Sequence, residues 1–262
     1  MIEIGINGAG GRMGRRLVAL ASEDDALRVV AALERPGHEL EGQDAGVVAG
    51  VSPLAVPLAS QIRRKPKVMI DFTVPEAFRT VLRTCREQKI GLVVGTTGLT
   101  DDDHQAIDAA AAEIAVLQAP NMSLGVNLLF ALAGQAAARL GDDYDIEIVE
   151  AHHRFKLDAP SGTAMGLAES ICAATGKSVD TDLVHGRHGE QPRQRGEIGM
   201  HALRVGDEVG RHSVHFGTLG EEITLAHKAS TRDVFARGAL RAAAWLADKP
   251  AGRYHMKDVL GL

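Results

Sequence analysis

The stretch Glu150-Ala151-His152-His153-Arg154-Phe155-Lys156-Leu157-Asp158-Ala159-Pro160-Ser161-Gly162-Thr163-Ala164 concentrates groups that move protons and bind anions. His152, His153, Arg154 and Lys156 follow one another closely, just past an expected strand. A C=N or C=C bond that receives a hydride also needs a proton, which a histidine or lysine can supply. Pro160 and Ser161-Gly162-Thr163 open an expected helix, whose first N–H groups can hold an anion such as a carboxylate. Lysine and arginine nearby add charge-assisted contacts. Adjacent histidines also suit a metal, but no third ligand stands at zincin-like spacing and the neighbouring cations oppose one. No metal is expected. The remaining histidines His201, His212, His215 and His227 fall on expected strands and read mostly as satisfied polar positions.

A second constellation lies at the other end of the chain. Gly8-Ala9-Gly10-Gly11-Arg12-Met13-Gly14 stands between an apolar run and a helical pattern. Glycines there permit a tight turn and let backbone N–H groups approach a pyrophosphate, aided by the helix dipole. The spacing is GxxGxxG rather than GxGxxG, a weak signal alone. An acidic residue at the end of the next strand, Glu34, lies about 20 residues beyond Gly14, as a dinucleotide site requires. Glu34 suits ribose hydroxyls and so NADH. Arg35, with Arg12, suits the 2′-phosphate of NADPH, and together they predict tolerance of both cofactors. Gly95-Thr96-Thr97-Gly98 and Ala119-Pro120-Asn121-Met122 each follow a strand and should border the same crevice.

These groups need elements to position them. Residues 2–6, 27–33, 67–71, 92–94 and 114–117 read as short apolar strands alternating with helices at about 11–22, 75–88 and 101–112. That alternation implies a parallel sheet with helices on both faces. Residues 34–66 read mostly as loop with one or two short strands. After Pro120 the texture changes. Residues 123–140 form a long Ala/Leu helix, 145–150 alternate as a strand with one wet face, and 161–175 form a helix. Residues 176–195 read as a polar loop, and 197–228 as three strands of an antiparallel or mixed sheet. Ser230-Thr231-Arg232-Asp233 resembles a capping box that starts a closing helix ending near 248. The expectation is an α/β chain of two domains. Residues 1–122 with 230–262 form a dinucleotide-binding domain, and 123–229 form a substrate-binding and oligomerisation domain of α+β type.

Whole-chain properties exclude other classes. The 262 residues carry a net charge of −5, and only 3% are aromatic. A general nucleic-acid binder needs a basic surface, so none is expected. A dinucleotide-sensing regulator would also carry a DNA-binding helix pair, and none is visible. No apolar run is expected to span a bilayer, and the first residues lack a signal-peptide pattern. Cys85 and Cys172 read as reduced structural thiols, which with the rest gives a cytoplasmic expectation.

Taken together, the motifs resemble the 4-hydroxy-tetrahydrodipicolinate reductase (dihydrodipicolinate reductase) family over nearly the whole chain. The resemblance is carried by GAGGRMG at 8–14, Glu34-Arg35, IDFTVPEA at 70–77, GTTG at 95–98 and APNMSLGVN at 119–127. EAHHRFKLDAPSGTA at 150–164 and HKASTRDVFARGALRAAAWL at 227–246 complete it. It implies a Rossmann-like domain plus a mixed-sheet domain that makes a homotetramer. It implies that His152 is the catalytic acid/base and Lys156 a proton donor and substrate contact. His153, Ser161 and the backbone of Gly162 and Thr163 would bind the substrate carboxylates. Arg232 and Phe235 would join the cofactor contacts. The implied reaction passes a hydride from NADPH or NADH to ring C4 of a dicarboxylate heterocycle, with loss of water, in diaminopimelate and lysine synthesis.

Overall fold

The computed structural model describes residues 1–262. In chain order the elements are β1 (Ile2–Asn7), α1 (Arg12–Ser22), β2 (Leu27–Leu33), α2 (Ala45–Ala49), β3 (Leu58–Ala59), β4 (Val68–Asp71), α3 (Pro75–Gln88), β5 (Gly91–Val94), α4 (Asp101–Ala111) and β6 (Ala115–Gln118). There follow α5 (Leu124–Leu140), β7 (Asp145–His152), α6 (Gly162–Thr175), α7 (Val179–Asp182), β8 (Leu183–His185), β9 (Ile198–Arg204), β10 (Gly210–Thr218) and β11 (Glu221–Ala229). The chain ends with α8 (Asp233–Leu246), β12 (Gly252–Tyr254) and α9 (Met256–Leu260). Two compact units result, Met1–Ser123 with Asp233–Leu262, and Leu124–Arg232.

The first unit is a seven-stranded sheet in the order β12-β6-β5-β4-β1-β2-β3. Its ladders are parallel throughout. Phe78, Val81, Leu82 and Cys85 of α3 and Ile107 of α4 pack on Met69, Leu92, Val94 and Val116 of the sheet. Strand alternation turns Ile70, Val93 and Leu117 the other way. α8 lies against β4, β5 and β6 and beside α1. The result is a Rossmann-like layering, with the strands' carboxyl ends, and the loops after them, along one edge. Two details were not legible beforehand. The 34–66 segment holds a helical turn, α2, capped by Asp44, which accepts from Gly46 N (2.8 Å) and Val47 N (3.2 Å). Five residues that include Gly and two Val give too little periodicity to betray it. The strand β12 is likewise only three residues long.

The second unit is a mixed five-stranded sheet, β11-β10-β7-β9-β8. β10 pairs antiparallel with β11 and β7, whereas β7, β9 and β8 run parallel. α5 and α6 cover one face, where Leu129, Ala133, Leu167 and Ile171 meet Ile146, Ile148, Met200, Val214 and Phe216. The opposite face carries Glu147, His201, Ser213 and His215 beside Val149 and Leu203. The 176–195 stretch, expected as loop, contributes α7 and the edge strand β8, because Ser178 caps a short helical turn and Leu183–His185 find β9. Arg187 and Arg193 in the same stretch pair with Glu147 and Glu197. By length and composition alone the helical stretch Leu124–Asp143, with a mean hydropathy of 1.2 over an 18-residue window, would pass for a membrane span. Here that helix packs on α6 and β11.

Two predictions follow from packing and burial. A Cβ on Gly14 would overlap the carbonyl oxygen of Gly8 and come within 2.6 Å of Ala9 Cα. Gly14→Ala must therefore displace backbone, and it is expected to destabilise the first unit by about 1–3 kcal/mol, read from the midpoint of denaturant unfolding. His212 is buried, and desolvation, aided by repulsion from His152, lowers its pKa from 6.5 to about 4. Its neutral form thus contributes stability above pH 6.5 that is lost as the pH falls through 4. The slope in that window approaches about 1.4 kcal/mol per pH unit. Unfolding titrations of His212→Gln between those pH values should show a shallower loss than the wild type.

Candidate active site

Each unit gathers its polar side chains where strands end. In the first, the chain leaves β1 through Gly8, whose φ is +73°. The N–H groups of Gly8 and Ala9 both donate to Leu33 O, at 2.9 and 3.0 Å, which ties the turn to the end of β2. Gly11 caps α1 with no side-chain hydrogen bond, so the backbone N–H groups of the first turn have no competing cap. Gly14 is the close-packing position, Arg12 is exposed and Met13 is half-buried. Glu34 reaches back to the turn. Its Oε1 accepts from Gly10 N at 2.9 Å, and its Oε2 accepts a longer bond from Arg35 N at 3.3 Å. The expected ribose acceptor is therefore also a brace for the glycine turn. A cavity of about 670 Å³ opens here, lined by Gly8, Gly11, Glu34, Arg35, Thr73 and Thr80 among others.

Behind that cavity stands a carboxylate that sequence reasoning quoted only within a motif. Asp71, fully buried at the end of β4, accepts from Asn7 Nδ2 and Thr73 Oγ1 at 2.7 Å and from Thr96 Oγ1 at 2.6 Å. Thr96 Oγ1 in turn accepts from Thr73 N at 2.9 Å. The ends of β1, β4 and β5 are thereby laced together. Burial pushes the Asp71 carboxyl above its ordinary range, against these three donors, because no cation offsets the desolvation. Of the other expected cofactor positions, the ring of Phe72 fills the space a side chain on Gly95 would take. Thr97 and Pro120 are exposed, while Ala119 and Met122 are buried. Asn121 Oδ1 accepts from Ser123 N at 2.9 Å. Arg232 is exposed just before α8, and Phe235 is half-buried on it.

The second unit's cluster grows out of strand alternation. Ile146, Ile148, Glu150 and His152 follow one another on the buried face of β7, so the core face turns polar at the strand's end. β9 repeats the pattern with Ile198, Met200, Ala202 and Arg204, and β10 supplies His212 beside Val214 and Phe216. Register sets Glu150 opposite both Ala202 and His212. Glu150 is fully buried and collects four donors. His152 Nδ1 stands 2.6 Å from Oε2, Ser161 N donates to Oε1 at 3.1 Å, and Arg204 donates to both oxygens at 2.9 Å. Burial would raise its pKa, but the bonds from Arg204 and His152 outweigh this and hold the carboxyl below its ordinary range. An ionised carboxylate only accepts, so the proton in that contact sits on His152 Nδ1.

The remaining expected residues surround this group. Ser161 caps α6, its Oγ accepting from Ala164 N at 3.2 Å and lying 3.0 Å from His212 Nε2. The rings of His152 and His212 meet edge to face at 5.1 Å. A Cβ on Gly162 would meet nothing within 4 Å, so the helix start is open. Thr163 is half-buried in the same first turn. Lys156 Nζ pairs with Asp158 Oδ1 at 2.9 Å. His153 packs near the Phe155 ring, and its buried Nδ1 has no hydrogen-bond partner. His212 Nδ1 and His227 Nδ1 are also unpartnered, so the reading of these histidines as satisfied fails for two of them. Burial depresses both pKa values, which keeps the rings neutral and tolerable without partners. Nothing in the linear pattern marks Glu150 or Arg204 as a site group, and it offers His212 only as a satisfied polar position on a strand. Strand parity was the available signal for all three.

Comparison with known proteins agrees with this arrangement. Residues 2–122 match the family model described as dihydrodipicolinate reductase, N-terminus, and residues 125–260 match that for the C-terminus. A 4-hydroxy-tetrahydrodipicolinate reductase of Alkalilimnicola ehrlichii is 48% identical over 99% of this chain and 98% of its own length. One from an Anaeromyxobacter species is 47% identical over 100% of this chain and 98% of its own length. A solved structure of dipicolinate-bound dihydrodipicolinate reductase from a Paenisporosarcina species superposes with a TM-score of 0.75. It shares 25% identity and covers 97% of both chains. With matching family models over both units and close relatives along its whole length, the chain belongs to the dihydrodipicolinate reductase (4-hydroxy-tetrahydrodipicolinate reductase) family of oxidoreductases.

Proposed function

We propose that this chain reduces 4-hydroxy-tetrahydrodipicolinate, the hydrate of dihydrodipicolinate, to tetrahydrodipicolinate with NADPH or NADH, in the diaminopimelate and lysine pathway. The observation that carries the reading is the His152 ring, anchored through Nδ1 on Glu150 beside the capped, open start of α6. That pairing offers a proton-transfer group next to an anion cradle, as a dicarboxylate substrate needs. The Paenisporosarcina relative, solved with dipicolinate bound, supports the same substrate class.

The residues of the first unit fit a dinucleotide. Gly14 has no room for a Cβ, Gly11 leaves the α1 turn uncapped by any side chain, and the adjoining cavity holds Glu34 and Arg35. Gly8 to Gly14 would take the pyrophosphate, with Glu34 or Arg35 at the ribose. The loops bearing Gly95, Thr96, Thr97 and Ala119 to Met122, with Arg232 and Phe235, would complete the binding. Bound there, a nicotinamide cofactor would supply the hydride, to C4 of the ring once the 4-hydroxyl has left as water. His152 presents Nε2 as the proton-bearing atom. Lys156, released from Asp158, is a second proton donor and a counter-charge to a substrate carboxylate. The N–H groups of Gly162 and Thr163, with Ser161 and His153, receive the other carboxylate. A cytoplasmic location and a homotetramer belong to the same reading and rest on the family resemblance.

The test is a coupled assay that generates substrate from pyruvate and aspartate semialdehyde with the preceding synthase and follows both cofactors. Wild type should turn over, and His152→Gln and Lys156→Ala should each fall by roughly 10²-fold or more in kcat. Measurable cofactor binding without turnover would instead favour a non-catalytic dinucleotide sensor. Arg35→Ala should raise KM for NADPH by about tenfold, the worth of one charge-assisted contact, with little change for NADH. Equal effects on both cofactors would remove Arg35 from the 2′-phosphate site.

A further inference from the structure

We propose that Glu150 is a positioning residue for the reaction: its carboxylate fixes the His152 ring with Nε2 outward and, with Arg204, holds the Lys156 loop and the start of α6 in register with it. The inference rests on the reading of His152 as the acid. It adds two residues, Glu150 and Arg204, that touch neither substrate nor cofactor in that reading.

The geometry is over-determined around one carboxylate. Its two oxygens offer about four lone-pair directions, and four donors occupy them. The four donors come from three residues in different parts of the cluster. His152 ends β7, Ser161 caps α6, and Arg204 ends β9. Arg204 then extends the arrangement, because its Nη2 also donates to Asp158 O at 2.6 Å. The Asp158 side chain holds Lys156 Nζ at 2.9 Å. Three groups expected to act on one substrate are therefore referred to a single anchor.

The orientation of His152 is the chemical consequence. With Nδ1–H committed to Glu150, the neutral ring keeps its lone pair on Nε2, and the protonated ring donates from Nε2. Residue 210 is glycine, and a Cβ there would stand 3.1 Å from Nε2, so no side chain from β10 crowds that atom at this position. A rotated ring or the other tautomer would turn the wrong nitrogen outward, the failure that removal of a triad carboxylate produces elsewhere. A purely structural role explains this less well. A buried ion pair is often no more stabilising than apolar residues of the same volume, and the face it interrupts is otherwise Ile146, Ile148, Ile198 and Met200.

The decisive measurement is the 15N spectrum of the full chain labelled at histidine, above the pH at which the ring shifts stop changing. The His152 signals are identified by their loss in His152→Gln. The wild type is expected to show His152 as the Nδ1–H tautomer. Glu150→Gln, whose amide can donate to Nδ1, should shift it toward Nε2–H. The same variant should lower kcat by roughly 10- to 100-fold while KM for NADPH stays near wild type. Arg204→Met should keep the tautomer but raise KM for the dicarboxylate substrate several-fold. An Nε2–H tautomer in the wild type would overturn the proposal even if no Glu150 variant folds. A folded Glu150→Gln with unchanged kcat and tautomer would overturn it as well. Full activity in His152→Gln would instead sink the functional reading, and the tautomer would still report whether Glu150 sets the ring.

Discussion

A carboxylate taken out of water must gather hydrogen-bond donors or be expelled, and this need organises both units. Glu150 and Asp71 are each fully buried at the carboxyl end of a strand. There the ladder stops and neighbouring loops have unpaired groups to offer. Each draws in the loops around it, Asp71 with neutral donors alone and Glu150 with a guanidinium among its four. The difference in partners sets the opposite directions in which the two carboxyls shift. Burial wins at Asp71 and raises its carboxyl, while Arg204 and His152 win at Glu150 and lower it.

Everything around these anchors is built from small side chains. With 3% aromatic residues and 29 glycines, the chain cannot fill its interior with large rings. It relies instead on close approach of backbone. Gly14 admits α1 against the β1 turn, and Gly238 lets α8 pass the carbonyl of Met122. Such contacts leave no slack, because an interior packed to crystal-like density transmits any added methyl group to its neighbours. They also bring backbone N–H groups to the surface of the glycine turn before α1, where a larger residue would cover them.

The second sheet shows how one strand serves both core and chemistry. Along β7, β9 and β10, the residues facing the helices are apolar until the strand reaches the site, and then become Glu150, His152, Arg204 and His212 without a change of parity. The polar cluster is thus continuous with the core formed by Ile146, Ile148, Met200 and Val214. Rigid packing on one side holds the groups on the other in place.

Much of this was open to a reader of the sequence alone. Alternating strand and helix patterns specify the parallel sheet because a buried strand must be apolar on both faces. The glycine turn before α1 and the capping Ser161 mark their own helix starts, and the 150–164 motif carries the site's chemistry in a few adjacent positions. The short elements α2, β8 and β12 escaped, since three to five residues hold too little of a period to register. Arg204, and the place of His212 in the cluster, escaped for a different reason. Each is separated from its partner by more than fifty residues, and nothing local in either stretch says that it will face Glu150. The sequence by itself determined which residue types and which strand faces were available. Only the pairing register of β7 with β9 and β10 decided which of them meet, because a shift of one residue would turn Arg204 or His212 to the opposite face of the sheet.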